Sequence, residues 1–119
     1  MQKENISYED FIKVDIRVGF IKSAKRIPKK DRLLELEVDL GELGVRTIVA
    51  GIAEHFSPET LMDKYFEYPE MATKVLVVVN LEPKKVGGVM SHGMILAGYD
   101  NEKHLRLAEC DLDAGSEIG

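Results

Sequence analysis

The chain has 119 residues, 45% hydrophobic and 31% charged, a balance typical of one globular domain with a single core. It contains no apolar run near the roughly 18 residues that a membrane-spanning helix needs, and residues 1–5 lack the apolar centre of a signal peptide. Cys110 is the single cysteine, which excludes an internal disulfide and, without a signal peptide, favours the cytoplasm.

The net charge of −5 argues against nucleic acid binding over the whole chain, because phosphate contacts depend on lysine and arginine. The charge is unevenly distributed. Residues 22–32 hold six basic residues and one acid, a local charge of +5, whereas acids outnumber bases ten to three in residues 33–82. A basic segment on an acidic chain can still bind phosphate, while the acidic remainder orients the ligand by repulsion.

The first half of the chain predicts a short helical turn followed by three strands. A serine cap opens the turn at residues 7–12. Apolar residues then alternate with polar ones in residues 14–21 and 34–40, the period of half-buried strands, and residues 45–52 are predicted to form the third strand. The basic segment 22–32 contains a proline and is predicted to be a loop.

The second half predicts one short helix and further strands. Ser57, Pro58 and Glu59 mark a helix start, and the helix is expected to end near Asp63, before an irregular stretch at residues 64–74. A turn is predicted at residues 82–90, because glycines and a proline fall there. Three strands are expected, two in the barrel and a short one near the C-terminus: residues 75–81, 91–97 and 105–107.

Three strands, a helix and two strands is the order of a five-stranded Greek-key OB-fold barrel, an all-β class with little helix. One domain is therefore predicted over residues 1–119, with the barrel at about 13–99 and a C-terminal extension at about 100–119. In this fold, the loops between strands 1 and 2 and between strands 4 and 5 bind oligonucleotides. Basic residues fall in both predicted loops, which indicates binding of structured RNA.

Four ordered motifs resemble the tRNA-binding domain family. That family includes C-terminal domains of methionyl-tRNA synthetases, free-standing tRNA-binding proteins and C-terminal modules of synthetase cofactors. The motifs begin with an Asp-Phe-Ile-Lys-Val-Asp-Ile-Arg-Val-Gly opening, and the resemblance extends from Ile6 to the C-terminus, with the closing Ala-Gly-Ser-Glu-Ile included. The four motifs lie at residues 10–19, 46–53, 79–85 and 91–97.

The resemblance implies an OB barrel with a C-terminal extension, homodimerisation through residues 100–119, and binding to the outside of the tRNA fold with little sequence discrimination. It implies no catalysis and no cofactor. It also implies association with an aminoacyl-tRNA synthetase. A secretion-chaperone (CsaA-type) branch of the family lacks the Gly-Ile-Ala and Ser-x-Gly-Met forms; both are intact here, at residues 51–53 and 91–94, which favours the tRNA-binding branch.

The basic segment holds the first candidate RNA contacts, with a solvated surface loop as the alternative. Arginine can make paired hydrogen bonds with one phosphate, and lysine acts as a point charge. If about 4–6 phosphates are contacted, log affinity falls against log salt with a slope of roughly −3 to −5. The candidates are Lys25, Arg26, Lys29, Lys30 and Arg32.

A second candidate patch lies in the later motifs and comprises Asn80, Lys84, Lys85, Ser91 and Met94. Asn80 and Ser91 can contact bases, 2′-hydroxyls or phosphates, or can instead satisfy backbone groups at the turn. Met94 can lie against a base or ribose, or fill the core. Aromatic residues suited to stacking are scarce, which favours recognition of backbone and shape.

Other candidates are weaker. Arg17 and Arg46 can face the groove or pair with acids across the sheet. The three histidines and Cys110 have no metal-ligand spacing, so no metal site is predicted, and no nucleophile–base pair indicates an enzyme.

Two alternatives to RNA binding remain. The first is a peptide-binding chaperone of the secretion branch, which needs an exposed apolar patch, for which Tyr65, Phe66 and Tyr68 are the candidates. The second is a dimerisation element whose RNA binding has decayed, which the acidic net charge supports.

Overall fold

The structure is a computed structural model that describes residues 1–67 and 73–119, with residues 63–67 described by their backbone. The chain opens with helix α1 (Tyr8–Phe11). The Ser7 hydroxyl accepts a hydrogen bond of 3.1 Å from the backbone N–H of Asp10, which confirms the predicted serine cap. The cap matters because the first N–H groups of a helix have no partner within it.

Strands β1 (Ile16–Ile27) and β2 (Lys30–Asp39) form one long antiparallel hairpin. Pairing continues to Arg26 opposite Leu34, so the prediction of a loop over residues 22–32 is wrong. Pro28 and Lys29 make the turn, where Lys29 has a φ of 65°. Charged side chains do not prevent backbone pairing, and at the end of a barrel both faces of a strand can carry solvated residues.

Strand β1 bends sharply to follow the barrel. Its register shifts between Ile21 and Ser23, where Lys22 is the extra residue of a β-bulge. Gly19 is buried, and a Cβ added there would lie 2.6 Å from Val38 Cγ1 and 2.9 Å from Val77 Cγ2. The coiled strand therefore needs glycine at this position, since facing side chains already fill the space.

After a 3-10 turn at Gly41–Leu43, the chain forms β3 (Val45–Ala50) and helix α2 (Pro58–Glu67). The Ser57 hydroxyl accepts from the N–H of Thr60 at 3.0 Å, which confirms the predicted helix start. The helix continues past Asp63, so its predicted end was wrong. No proline or glycine interrupts the chain before Pro69, and nothing in the local sequence stops the helix earlier.

Residues 73–119 form seven short strands. The predicted single strand over residues 91–97 is wrong, because Gly93, with a φ of 146°, and Leu96 divide it. The predicted turn at 82–90 is mostly a second hairpin, whereas the short strand near 105–107 is confirmed. The strands are β4 (Lys74–Val78), β5 (Lys84–Val86), β6 (Val89–Ser91), β7 (Met94–Ile95), β8 (Ala97–Tyr99), β9 (Leu105–Leu107) and β10 (Glu117–Ile118).

In the described part of the chain, the main sheet has the order β3-β2-β1-β4-β7, with β10 added to β1. The sheet curls until its edges meet. Val49 N–H donates to the Ser91 hydroxyl at 2.9 Å, and His92 N–H donates to the Thr47 carbonyl at 2.9 Å. The result is the predicted antiparallel barrel, with α2 between β3 and β4 in the chain. It differs from the predicted five strands in two ways: the last strand is divided into shorter strands, and β10 is added beside β1.

Apolar side chains from the strands and from α2 fill the barrel. The alternation of residues 34–40 is confirmed, because Leu34, Leu36, Val38 and Leu40 are fully buried while the acids between them are not. Removing this much apolar surface from water is the main stabilisation available to a small barrel. The core therefore fixes which end of the β1–β2 hairpin extends into solvent.

Candidate nucleic-acid interface

The basic residues lie at the solvent end of the β1–β2 hairpin, called the basic hairpin here (residues 22–32). Its candidate cations occupy β1, the turn and β2 rather than a loop, and all are exposed. A hairpin holds its side chains in more fixed positions than a flexible loop does. The exposed candidates are Lys25, Arg26, Lys29, Lys30 and Arg32.

Two of these cations are paired with carboxylates. Lys25 Nζ lies 3.3 Å from Glu35 Oε2, directly across the β1–β2 ladder. Arg32 Nε lies 3.3 Å from Glu54 Oε1, in the segment after β3. The sequence analysis did not anticipate either pair. The first follows from the hairpin register, and the second from the tertiary placement of residue 54.

The other three cations of this set, Arg26, Lys29 and Lys30, make no ion pair with any residue that the structure describes. Lys29 extends from the turn itself, and Lys30 lies next to it. Unpaired cations on a protruding edge attract phosphate without first giving up an internal partner.

The β5–β6 hairpin, called the second hairpin here (residues 84–91), contacts the basic hairpin through its turn. A Cβ added at Gly87 in its turn would lie 3.5 Å from Lys30 Cγ, 3.6 Å from Ile27 Cδ1 and 2.6 Å from Leu33 Cδ1. The turn of the second hairpin therefore rests on the end of the basic hairpin. Two basic segments separated by some fifty residues in sequence thus form one surface.

Lys84 and Lys85 are both exposed on β5. Lys84 is opposite Ser91 and Lys85 is opposite Met90. Because successive strand residues point to opposite faces, the two lysines present their charges on different sides of the second hairpin. Each face of the second hairpin therefore carries one positive charge.

Ser91 and Asn80 bind backbone groups. Ser91 is buried, and its hydroxyl accepts from Val49 N–H at 2.9 Å and donates to the Gly93 carbonyl at 3.2 Å. The Asn80 side chain is exposed, and its amide accepts from Asp15 N–H at 2.9 Å and donates to the Lys13 carbonyl at 2.6 Å. Both residues therefore show the backbone-satisfying role that the sequence left open.

Met94 is 48% exposed, so the core-packing alternative is wrong. It lines an open, mostly apolar groove of about 350 Å³ between the end of β3 and β7–β8, together with Gly51 and Tyr99. Ile52 lines this groove, and the N–H of the next residue, Ala53, donates to the Arg32 carbonyl at 3.1 Å. The apolar groove therefore borders the basic hairpin.

Arg17 and Arg46 make contacts within the barrel. Arg17 contacts Asp15 at 2.9 Å, Glu42 at 3.1 Å and Glu117 at 3.2 Å, which ties β10 to the start of β1. Hydrogen bonds to Asp15 and then Glu42 raise the pKa of the Arg17 guanidinium, which keeps it charged.

Arg46 donates from Nη1 to the Val79 carbonyl at 2.7 Å. The expected ion pair across the sheet forms for Arg17, although its partner is Glu117, opposite it on β10, rather than Glu35, Glu37 or Asp39. For Arg46 the expected pair with one of these acids is wrong, and Glu37 instead accepts from the Thr47 hydroxyl at 2.7 Å.

Within the described residues, no cluster of three or more His, Cys, Asp or Glu side chains is arranged to hold a metal ion. His104 lies 3.1 Å from Asp100, and its backbone N–H and side chain lower the pKa of the Asp100 carboxyl. This contact closes the β8–β9 turn. The helices of the described residues are too short or too polar to cross a membrane.

A closed antiparallel barrel with cations gathered at one end defines a small nucleic-acid-binding type of domain. The family described as "Putative tRNA binding domain" matches residues 16–118. The chain belongs to this family.

The relatives are long enzymes of which this chain matches a small part. Methionine–tRNA ligase of Porphyromonas gingivalis is 41% identical over 117 residues, which cover 97% of this chain and 16% of that protein. Methionine–tRNA ligase of Helicobacter pylori is 50% identical over 101 residues, or 85% of this chain and 14% of that one. The chain thus spans about one-sixth of these relatives' length.

Solved structures of similar size share the whole fold. A MetRS-related protein from Pyrococcus horikoshii has a TM-score of 0.81 and 32% identity, covering 98% of this chain and 100% of that one. The chaperone CsaA from Bacillus anthracis has a TM-score of 0.79 and 29% identity, with the same coverage. The barrel and its extension are therefore shared with both of these proteins.

Proposed function

We propose that this chain is a non-catalytic module that binds tRNA through the sugar-phosphate backbone, with little discrimination between sequences. The observation that carries the proposal is the packing of Gly87 against Ile27 and Lys30, which joins the two basic hairpins into one surface. A ligand can therefore contact both hairpins at once. Membership in the tRNA-binding domain family supports tRNA as that ligand.

In this proposal, cations without a described carboxylate partner make the first contacts, and Lys84 and Lys85 extend the surface. Met94, in the neighbouring groove, contacts a ribose or base edge. Ser91 and Asn80 hold the backbone that carries these groups. Backbone contacts position RNA without reading its sequence, since phosphates are alike along the strand.

Charge reversal tests the surface directly. We expect Lys30→Glu with Arg32→Glu to reduce tRNA affinity at least tenfold, because two attractions become repulsions, while the barrel stays folded. The matched control is Lys3→Glu with Lys103→Glu, two exposed lysines outside both hairpins that change the net charge equally. Gel shift with bulk tRNA at several salt concentrations measures the affinity, and thermal unfolding checks the fold.

The salt series gives a second readout. For roughly 4–6 phosphate contacts, the parent's log affinity falls against log salt with a slope of about −3 to −5, and the Lys30/Arg32 variant should be shallower. Equal binding by the variant and the parent would refute the assignment of the site.

We further propose that the module serves methionyl-tRNA synthetase, fused to it or as a separate cytoplasmic subunit. The support is the identity with Methionine–tRNA ligases, of which the chain covers about one-sixth. A weak RNA-binding module raises local tRNA concentration when it is linked to a catalytic domain, and linkage can add about 10²-fold or more in avidity.

A peptide-binding chaperone is the second candidate, favoured by the structural likeness to CsaA of Bacillus anthracis. The aromatic residues first considered for its apolar patch, Tyr65, Phe66 and Tyr68, lie where the structure describes no side chains. If the protein suppressed aggregation of unfolded clients and gave no tRNA shift at low salt, this function would replace tRNA binding.

A further inference from the structure

Two carboxylates stand beside the cations of the basic hairpin. Glu35 lies 3.3 Å from Lys25 Nζ, and Glu54 lies 3.3 Å from Arg32 Nε. We propose that Glu35 and Glu54 attenuate RNA binding by competing with phosphate for Lys25 and Arg32. This inference rests on the proposed tRNA binding and concerns its regulation at the same site.

In the Lys25–Glu35 pair, the lysine side chain is 71% exposed and the glutamate side chain 17%. The Arg32–Glu54 pair, with side chains that are 82% and 59% exposed, contributes little to the stability of the barrel. Exposed pairs lose most of their attraction to water and salt, and many have no measurable effect on folding. Their main effect is therefore on the electrostatic field that an approaching ligand meets.

Lysine and arginine have more donors than one carboxylate uses, so a phosphate must share each of these cations with its glutamate. The glutamate then lies close to the phosphate, and like charges repel at this range. Lys25 and Arg32 therefore give less affinity than three cations with no described carboxylate partner, namely Arg26, Lys29 and Lys30. The surface therefore has cations with no described carboxylate partner, which bind phosphate more strongly, and cations beside a glutamate, which bind it more weakly.

Attenuation fits the acidity of the whole chain. The net charge is −5, and Glu35 and Glu37 lie on the outer surface of the barrel beside the basic hairpin. Among related complexes, differences in affinity arise mostly in the dissociation rate. Carboxylates next to the contact surface therefore hasten tRNA release, so that the module exchanges tRNA rather than retaining it.

Neutralising the two carboxylates tests this inference on the full chain. With Glu35→Gln and Glu54→Gln, we expect bulk tRNA to bind about three- to tenfold tighter at low salt, since two nearby repulsions are removed. The salt slope should steepen by about 1–2, because two more cations reach phosphates. The matched control, Glu4→Gln with Glu102→Gln, raises the net charge equally at exposed positions outside both hairpins.

The control double should bind tRNA within about twofold of the parent, since screened distant charges act weakly. If both doubles tighten binding equally, total charge explains the effect and the inference is overturned. Unchanged binding by the Glu35/Glu54 double overturns it as well.

Because Glu35 is partly buried, Glu54→Gln alone is compared with Glu102→Gln alone, so that a folding defect at position 35 cannot hide the result. Again, only the position 54 variant should tighten binding.

The outcome is separable from that of the proposed function. If the parent binds tRNA and the Lys30/Arg32 reversal weakens binding at least tenfold, a null result for the glutamates overturns attenuation alone. If the parent shows no tRNA shift at low salt, both proposals fall.

Discussion

Ser91 shows how one residue's role depends on its burial. Its type fits either an RNA contact or a backbone tie, and the sequence leaves both open. In the structure it is 6% exposed and joins the edges of the barrel through Val49. A buried hydroxyl that already bonds two backbone groups stabilises the fold, and we expect it to make no RNA contact.

Ser91→Ala should lower the free energy of unfolding by about 1–3 kcal/mol, because the half-buried Val49 N–H loses its acceptor. Ser23→Ala, an exposed position on β1, is the control and should be nearly neutral. Chemical denaturation measures both. At temperatures where both variants are folded, tRNA affinity should match the parent; a tenfold loss there would instead make Ser91 a contact.

The two ion pairs of the basic hairpin likewise depend on where single residues lie. The register of the β1–β2 hairpin places Lys25 opposite Glu35. This pair could therefore be predicted from the sequence once the hairpin is recognised. The Arg32–Glu54 pair was not, because residue 54 follows β3 and reaches Arg32 only in the folded barrel. Cations were easy to predict from sequence, and their partners were not.

At the scale of elements, the two hairpins account for the main errors of prediction. Residues 22–32 were expected to be a loop because of their charge and Pro28, yet β1 and β2 extend almost to the turn. Backbone pairing needs no apolar side chains where both faces meet water. Pro28, with no N–H to donate, occupies the turn, where it breaks no ladder hydrogen bond.

Gly87 connects these two elements and is suited to a test. Gly87→Ala should weaken tRNA binding several-fold and destabilise the protein by about 1–2 kcal/mol, since its φ of +59° disfavours a side chain. The added methyl also meets Leu33 at 2.6 Å, which displaces the second hairpin.

Gly88→Ala is the control for Gly87→Ala, because it has a comparable φ of +86° with nothing within 4 Å. Thermal unfolding and gel shift measure both variants. Equal loss of tRNA binding in the two would show that docking of the hairpins is unimportant for the site.

Across the whole molecule, the basic surface and a second groove lie at opposite ends of β1. The cations of the two hairpins meet at one end of the barrel, at the far end of β1 from the chain's start. At the start of β1, residues of α1 and the C-terminus line a second groove, with Tyr8, Phe11 and Ile118 among them. Tyr8 is 71% exposed, an unusual position for a large ring.

We propose that this second groove takes part in homodimerisation, which extends the expected seat at residues 100–119 to include α1. Tyr8→Asp should convert a dimer of twice 13.4 kDa to a monomer of 13.4 kDa, because a charge would be buried in the apolar contact. Met90→Asp, at a residue of the second hairpin that is 45% exposed and lies outside both segments, should leave the mass unchanged. Light scattering measures the mass, and a monomeric parent would contradict the proposal.

The barrel class, the inward face of β2, the position of α2 in the chain and the basic residues could all be predicted from the amino-acid sequence. These depend on period, composition and capping, which are local properties. The contact of Gly87 with Lys30, the closure of the barrel by Ser91 and the pairing of Glu54 with Arg32 become visible in the folded barrel alone. Those contacts join residues far apart in sequence, and strand pairing and barrel closure, not local preference, bring them together.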